Sequence, residues 1–207
     1  MEKLISSMPT TEEAIDLLKE AEIRNPGPWI NHSYFVAQAA KLIAQNIKGL
    51  DADVAYILGL LHDIGRREGI HGMKHSFDGY SFAINKGYDL VARICLTHVA
   101  FKHNDRSVIV GKWDGTESEY QLVLDYVNSI VENDYDRLIK LCDYISLPSG
   151  FCLLEKRIVD ITMRSGFNEL TLPRWKSTFE IKEYFEEKIG KSIYEILPNV
   201  VENTFGL

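Results

Sequence analysis

Apolar residues recur at intervals of three and four positions through most of this 207-residue chain. That spacing places them on one face of an α-helix, whereas a half-buried strand would show alternation. Strand signals are confined to residues 108–110 and a few positions near 170. The sequence therefore predicts an all-α fold. The expected helices cover residues 10–25, 28–48, 51–65, 76–86, 89–102, 116–132, 134–147, 150–164 and 177–189, with a short helix near Ser192 and a loop over 103–115.

Capping residues and glycines set the expected helix boundaries. Thr10, Thr116 and Ser177 are each followed three residues later by Glu, which is the capping-box pattern of a helix start. Asp51 is predicted to cap the third helix, and Gly65 is predicted to end it.

Charge and hydropathy exclude several classes of protein. The 23 basic and 30 acidic residues give a net charge of −7, so duplex nucleic acid is not an expected partner, although a local basic pocket is compatible with this balance. The longest apolar run covers about eight residues (54–61), well short of the ~20 of a membrane span. The first residues lack the apolar core of a signal peptide, and the three cysteines form no CxxC pair. We expect a cytoplasmic protein with a single domain over 1–207 and no membrane partner.

All six histidines lie between positions 32 and 103. His32 precedes Val36 by four positions, and His62 and His98 each follow an apolar residue by four, so these three point toward a helical core. A single inward histidine is usually a core residue with a backbone hydrogen bond. Several of them near buried carboxylates favour a metal site instead, because neutral imidazole is the commonest metal ligand.

Two aspartates lie in equally apolar helical stretches. Asp63 follows His62 in AYILGLLHDIG, and Asp143 lies in LIKLCDYISL. An ionised carboxylate is costly to bury unless a cation lies beside it. An arginine could supply that charge, but the inward histidines favour a metal ion.

These residues resemble a known signature. His32 in NHSYFVAQAA, the His62–Asp63 doublet in GLLHDIGRR and Asp143 in LCDYIS are similar to the H…HD…D pattern of the HD-domain superfamily, over about residues 28–150. The resemblance implies an HD-domain helical bundle, followed here by a C-terminal helical extension over 151–207. It also implies that His32, His62, Asp63 and Asp143 bind one divalent metal. Most members of the superfamily hydrolyse nucleotides or other phosphate esters.

The resemblance extends to a second metal. Binuclear subfamilies have two further histidines between the HD doublet and the last aspartate, and this sequence has His75 and His98 there, with His103 as an alternative to His98. The order is similar to that of the symmetrical diadenosine tetraphosphate hydrolases and the cyclic-di-GMP phosphodiesterases, although the GYP motif of the latter is absent. One or two ions are implied, with Asp63 shared between two. Imidazole and carboxylate ligands suit Fe, Mn, Co, Ni or Zn.

The activity that this family implies is hydrolysis of a phosphate ester or anhydride by attack of a metal-bound hydroxide on phosphorus. Asp63 and Arg66 are the expected catalytic residues. Arg66, Lys102, Lys112 and Trp113 are the expected substrate-binding residues, with anchoring of the loop to the core as the alternative role of Trp113. The expected partner is a phosphorylated small molecule, foremost a nucleotide or dinucleotide, and a homodimer is left open.

Three other interpretations stay open. Some binuclear HD proteins are di-iron oxygenases with the same ligands, which oxygen uptake would reveal. A catalytically inactive metal- or nucleotide-binding regulatory module would show no turnover of phosphate esters. A purely structural helical protein would bind no metal.

Overall fold

A computed structural model describes residues 8–109 and 111–207 of the chain. The residues before position 8, on which the signal-peptide expectation depends, and Val110 lie outside that part. The described α-helices are α1 (Thr11–Arg24), α2 (Trp29–Ala44), α3 (Ala52–Leu61), α4 (His75–Lys86), α5 (Asp89–Thr97), α6 (Glu117–Ser129), α7 (Asp134–Tyr144), α8 (Leu154–Ser165), α9 (Thr171–Ile189) and α10 (Val200–Phe205). Two 3-10 helices cover Ile64–Glu68 and Ile193–Glu195. The predicted all-α fold is confirmed.

The capping boxes are correct at two positions and wrong at a third. The side chains of Thr10 and Thr116 accept the backbone N–H of the Glu three residues later, as predicted. Ser177 lies inside α9, which begins about two turns earlier than expected. A further capping box forms at Ser192, where it begins the second 3-10 helix.

The segment after α5 differs from its prediction. The helix ends at Thr97 instead of continuing to 102, and the chain forms an antiparallel hairpin from β1 (Ala100–His103) and β2 (Arg106–Ile109). Asn104 and Asp105 form its turn with φ angles of 48° and 63°, a left-handed conformation that these residue types tolerate. A second short hairpin pairs β3 (Ser146–Leu147) with β4 (Gly150–Phe151). No strand forms near 170, because α9 begins there.

Helices α2 and α3 pack unusually close together. A Cβ at Gly59 would lie 2.5 Å from the Cα of Ala37, so only glycine permits this approach. Because His32 is on α2 and His62 follows α3, the close packing leaves their ring centroids 5.4 Å apart.

The C-terminal helices share the apolar core of the rest of the chain. Leu154 and Ile158 of α8, Phe185 of α9 and Val200 of α10 are buried in the same cluster as the apolar faces of α1 to α5 and α7. Within the described ranges, no helix combines the length and the apolar composition needed to cross a membrane.

Candidate metal centre

Six predicted ligands meet at one buried place. It lies between the first turn of α2, the C-terminal ends of α3, α5 and α7, and the start of α4. The residues are His32, His62, Asp63, His75, His98 and Asp143. All but Asp143 are buried, and Asp143 is partly exposed to a cavity. Five separate helices are therefore needed to assemble this site.

Three of the histidines have their tautomer set by the backbone. In each, the Nδ1–H donates to a carbonyl oxygen three or four residues earlier. The pairs are His62 to Gly59 at 2.8 Å, His75 to Gly72 at 2.5 Å and His98 to Ile94 at 3.0 Å. The Nε2 lone pair of each neutral ring therefore faces the site interior.

Burial disfavours protonation of His62 and His75. The Nε2 of His62 is buried and has no hydrogen-bond partner among residues 8–109 and 111–207. Burial lowers the pKa of His62 to about 4 and lowers the pKa of His75 as well. A lone pair that finds neither a donor nor a proton is well suited to a metal ion.

The first donor group consists of Asp63, His75 and His98. Oδ1 of Asp63 lies 2.9 Å from Nε2 of His75 and 3.5 Å from Nε2 of His98, and the two nitrogens are 3.2 Å apart. Two neutral imidazole lone pairs at that separation repel each other unless a cation lies between them. Ligand atoms about 2.0–2.2 Å from one ion are themselves roughly 3–3.5 Å apart, so the three atoms fit a single ion.

The second donor group consists of His32, His62 and Asp63, with Asp143 beside it. Nε2 of His32 lies 2.9 Å from Oδ1 of Asp143, and Nε2 of His62 lies 3.9 Å from Oδ2 of Asp63. Burial opposes ionisation of Asp143, but the hydrogen bond to His32 outweighs it and holds the pKa of that carboxyl below its usual range. The group therefore keeps a negative charge for a metal.

Asp63 belongs to both groups through different oxygens. Oδ1 faces His75 and His98, whereas Oδ2 faces His62 and accepts a hydrogen bond from Nε of Arg66 at 2.5 Å. Burial opposes ionisation of Asp63, but the positive charge of the Arg66 guanidinium holds its pKa well below the usual range. A carboxylate with its two oxygens directed at two donor groups can bridge two ions.

A cavity of about 480 Å³ opens from this centre. Its lining includes five cationic side chains and two carboxylates. The cations are Arg66, Lys140, Arg157, Arg164 and Arg174, and the carboxylates are Asp63 and Asp143. A strongly basic cavity in a chain of net charge −7 is suited to an anionic ligand.

Four of these cations were not predicted from the sequence: Lys140 on α7 and three arginines near the C-terminus. Arg157 and Arg164 lie on α8, and Arg174 lies on α9, so all three belong to the C-terminal extension. Arg157, Ile161 and Arg164 are spaced by four and three positions and line the cavity from one face of α8. That spacing is visible in the sequence, but the direction of the face is set by tertiary packing.

Three predicted substrate-binding residues lie away from the cavity. Lys102 lines a separate shallow groove next to His103 and Lys176, and Lys112 is exposed. The indole N–H of Trp113 donates to the carbonyl oxygen of Thr116 at 3.0 Å, and its ring packs against a small apolar cluster that includes Val123 and Val127. The geometry brings only Arg66 of the predicted substrate-binding residues to the cavity.

The choice between two histidines is also visible in the geometry. His98 belongs to a donor group with Asp63 and His75, and its ring is buried. His103 ends strand β1 on the other groove, with its Nε2 3.2 Å from the amide nitrogen of Asn104. The structure therefore places His98 with the other ligands.

Fold and site together define a class: helical proteins with buried, adjoining His/Asp donor groups for divalent metals. Residues 29–147, more than half of the chain, match the model of the HD domain. The chain therefore belongs to the HD domain family, as the motif predicts. Members of this family bind divalent metals and are mostly metal-dependent hydrolases. No curated protein and no solved structure gives a significant match to the chain.

Proposed function

We propose that this chain is a metal-dependent phosphohydrolase acting on a phosphorylated small molecule. The observation that carries the proposal is the convergence of three backbone-fixed imidazoles on the two oxygens of one buried carboxylate, Asp63. The surplus of cations in the adjoining cavity supports a phosphate ester or anhydride as the substrate.

The two donor groups support a proposal of two metal ions, one for each group. His32, His62, Asp63 and Asp143 would hold one ion, and Asp63, His75 and His98 would hold a second. When bound, such ions supply Lewis acidity and lower the pKa of a coordinated water enough for it to attack phosphorus near neutral pH.

Arg66 is placed to act on both the site and the substrate. Its Nε donates to Asp63, which fixes the carboxylate, and its side chain lines the cavity. The remaining guanidinium N–H groups are suited to a non-bridging phosphate oxygen, because charge-assisted hydrogen bonds to phosphate are strong. This role combines orientation of a ligand with stabilisation of negative charge in the transition state.

The apolar wall of the cavity favours a substrate with a flat organic part. Trp29 and Phe101 line it, and the indole N–H of Trp29 donates to the carbonyl oxygen of Asn25 at 3.0 Å, which holds the ring in place. Aromatic side chains of this kind stack on nucleobases. A nucleotide is therefore the substrate class we propose first.

The test combines a metal count with a hydrolysis assay. Elemental analysis of protein purified without chelator should give about two metal ions per chain. Phosphate release from p-nitrophenyl phosphate and a panel of nucleotides should then depend on added Mn²⁺, Fe²⁺, Co²⁺, Ni²⁺ or Zn²⁺, and should disappear with EDTA.

Three outcomes would contradict the proposal. Absence of bound metal would favour a purely structural protein. Bound metal with no phosphate release from any substrate would favour a regulatory module. Oxygen consumption by the iron-loaded protein, without phosphate release, would identify a di-iron oxygenase.

A further inference from the structure

The C-terminal extension contributes a basic wall to the cavity of the metal centre. Arg157 and Arg164 come from α8, and Arg174 comes from α9, with the Ser177 hydroxyl one turn further along. These residues lie beyond the segment that matches the HD domain. Their position makes them candidates for a function that the family match does not describe.

Arg174 is buried, and the described part of the chain offers it no compensating charge. It is 7% exposed, and its Nε has no hydrogen-bond partner in the described ranges 8–109 and 111–207. Within the same ranges, no carboxylate oxygen lies within 4.0 Å of its guanidinium nitrogens. Removing a cation from water without a partner is costly, so an anion that enters the cavity would relieve that cost.

Arg157 also has unsatisfied hydrogen-bonding capacity within the described residues. Its side chain is 15% exposed, and its Nε is buried with no partner among the described residues. Its one ion pair within residues 8–109 and 111–207 is long, 3.8 Å from Nη2 to Oδ1 of Asp143. Because Asp143 is a proposed metal ligand, this contact places a guanidinium directly beside the metal centre.

Two other cations of the cavity, the partly exposed Arg66 and the buried Lys140, are already paired. Arg66 contacts Asp63, and Lys140 contacts Glu132. The free positive charge is therefore concentrated on the wall formed by α8 and α9, next to the proposed reaction site and separate from Arg66.

We propose that Arg157 and Arg174 bind a second phosphate group of the substrate, one that is not cleaved. This inference rests on the proposed function and narrows the substrate to compounds with at least two phosphate groups. The planar guanidinium fork matches phosphate oxygens, and a phosphate carries about −1.5 to −2 charge at neutral pH, enough to engage two arginines. The metal ions would hold the reacting phosphoryl group. The two arginines would hold the second phosphate and so fix the position of the substrate relative to the metals.

Non-hydrolysable phosphonates test the site without turnover. Calorimetry on the manganese-loaded protein, with Mn²⁺ in excess of ligand, would compare methylphosphonate with methylene-, ethylene- and propylenediphosphonate. We expect at least one diphosphonate to bind about tenfold or more tightly than methylphosphonate, because a second charge-assisted contact is gained. The three spacer lengths sample the distance between the metals and the arginines.

Variants test whether the two arginines cause the tighter binding of diphosphonate than of methylphosphonate. Arg174→Gln and Arg157→Gln should lose the gain while binding methylphosphonate within about twofold of the unchanged protein. Lys176→Gln is the matched control, because it removes a positive charge from an exposed position of α9. This variant should still bind the diphosphonate more tightly than methylphosphonate. Circular dichroism checks folding, and Arg174→Lys, which keeps the charge but loses the fork, should show a partial loss if Arg174→Gln fails to fold.

Several outcomes would overturn the inference. Equal affinity for all the phosphonates would contradict the second phosphate site. So would tighter diphosphonate binding that persists in folded Arg174→Gln. Phosphonoacetate binding as tightly as methylenediphosphonate, in an Arg174-dependent way, would replace the second phosphate by a carboxylate. These results are separable from the proposed function. Arginine-dependent diphosphonate binding without hydrolysis of any ester refutes only the activity. Hydrolysis without tighter diphosphonate binding refutes only the second phosphate site.

Discussion

Asp63 is the side chain on which both donor groups depend. It is buried among three imidazoles, and each of its oxygens faces a different group. Without a metal ion, Arg66 would be the main positive charge to balance the Asp63 carboxylate and the imidazole lone pairs around it. The carboxylate is therefore better explained by a metal centre than by the packing of the core.

Removing that carboxylate should remove the metals. We expect Asp63→Ala to lose bound metal and phosphate release while the helical circular dichroism signal persists, because the helices are held by apolar contacts elsewhere. Asp53→Ala, which removes an exposed carboxylate from the first turn of α3, is the matched control and should keep both. Unchanged turnover in Asp63→Ala would contradict the site.

Arg66 separates catalysis from metal binding. We expect Arg66→Ala to lower kcat/KM by about 10²-fold, since one charged donor to the reacting group is lost. The metal content should stay near that of the unchanged protein, because the His and Asp ligands remain. Arg24→Ala, which removes an exposed arginine paired with Glu68, should leave both quantities unchanged. Loss of metal in Arg66→Ala would show that its contact with Asp63 is needed for metal binding.

At the scale of elements, the first 3-10 helix sets the position of His75 in the first donor group. A Cβ at Gly65 would lie 1.9 Å from the carbonyl oxygen of His75 and 2.3 Å from the backbone nitrogen of Gly79. Helix α3 ends at Leu61, before Gly65, so the role of this glycine is close contact with α4 and not the predicted helix stop. The contact fixes the start of α4, and with it His75.

Gly65→Ala should therefore displace a metal ligand. We expect a loss of about 1–3 kcal/mol in the free energy of unfolding, because the backbone of α4 must move. We also expect the metal content to fall by about one ion per chain, since His75 moves with α4. Gly49→Ala is the control: its φ of 99° strains any other residue, but nothing lies within 4 Å of the new Cβ. It should cost stability without changing the metal content.

The element scale also shows what the sequence could and could not predict. Helix type, most boundaries and the inward faces of the ligand-bearing helices follow from apolar spacing and caps, because these are local properties. The start of α9 was missed because Pro173 interrupts the pattern, yet proline is tolerated in the first turn of a helix. The hairpin after α5 was missed because its short strands carry a weak signal. The direction of the arginines on α8 and α9 depends on how those helices pack, which the local sequence does not specify.

At the scale of the whole molecule, the C-terminal extension is bound to the core by buried apolar side chains. Phe185 of α9 is fully buried in the cluster shared with α2, α3 and α7. Near the surface, Tyr184 and Lys188 of α9 both donate to Asp134 of α7 at 2.6 Å. These contacts predict that the extension and the matched segment unfold together.

A pair of phenylalanine variants tests this cooperativity. Phe185→Ala should lower the free energy of unfolding by about 3–5 kcal/mol, in one transition seen by both circular dichroism and tryptophan fluorescence. Phe167→Ala removes the same side chain from a position that is 64% exposed, and should change stability by about 0.5 kcal/mol or less. Two separate transitions in the unchanged protein would instead indicate that residues 151–207 form an independent unit.

The cavity has one wall from the matched segment and another from α8 and α9. The six candidate metal ligands and the proposed second-phosphate site therefore lie in consecutive, non-overlapping stretches of the polypeptide. A combinatorial library confined to positions 157–181 would vary the basic wall while leaving all six candidate metal ligands unchanged. With the proposed phosphate site, this division would let homologous chains diverge in the second group that they bind by changing only residues 151–207.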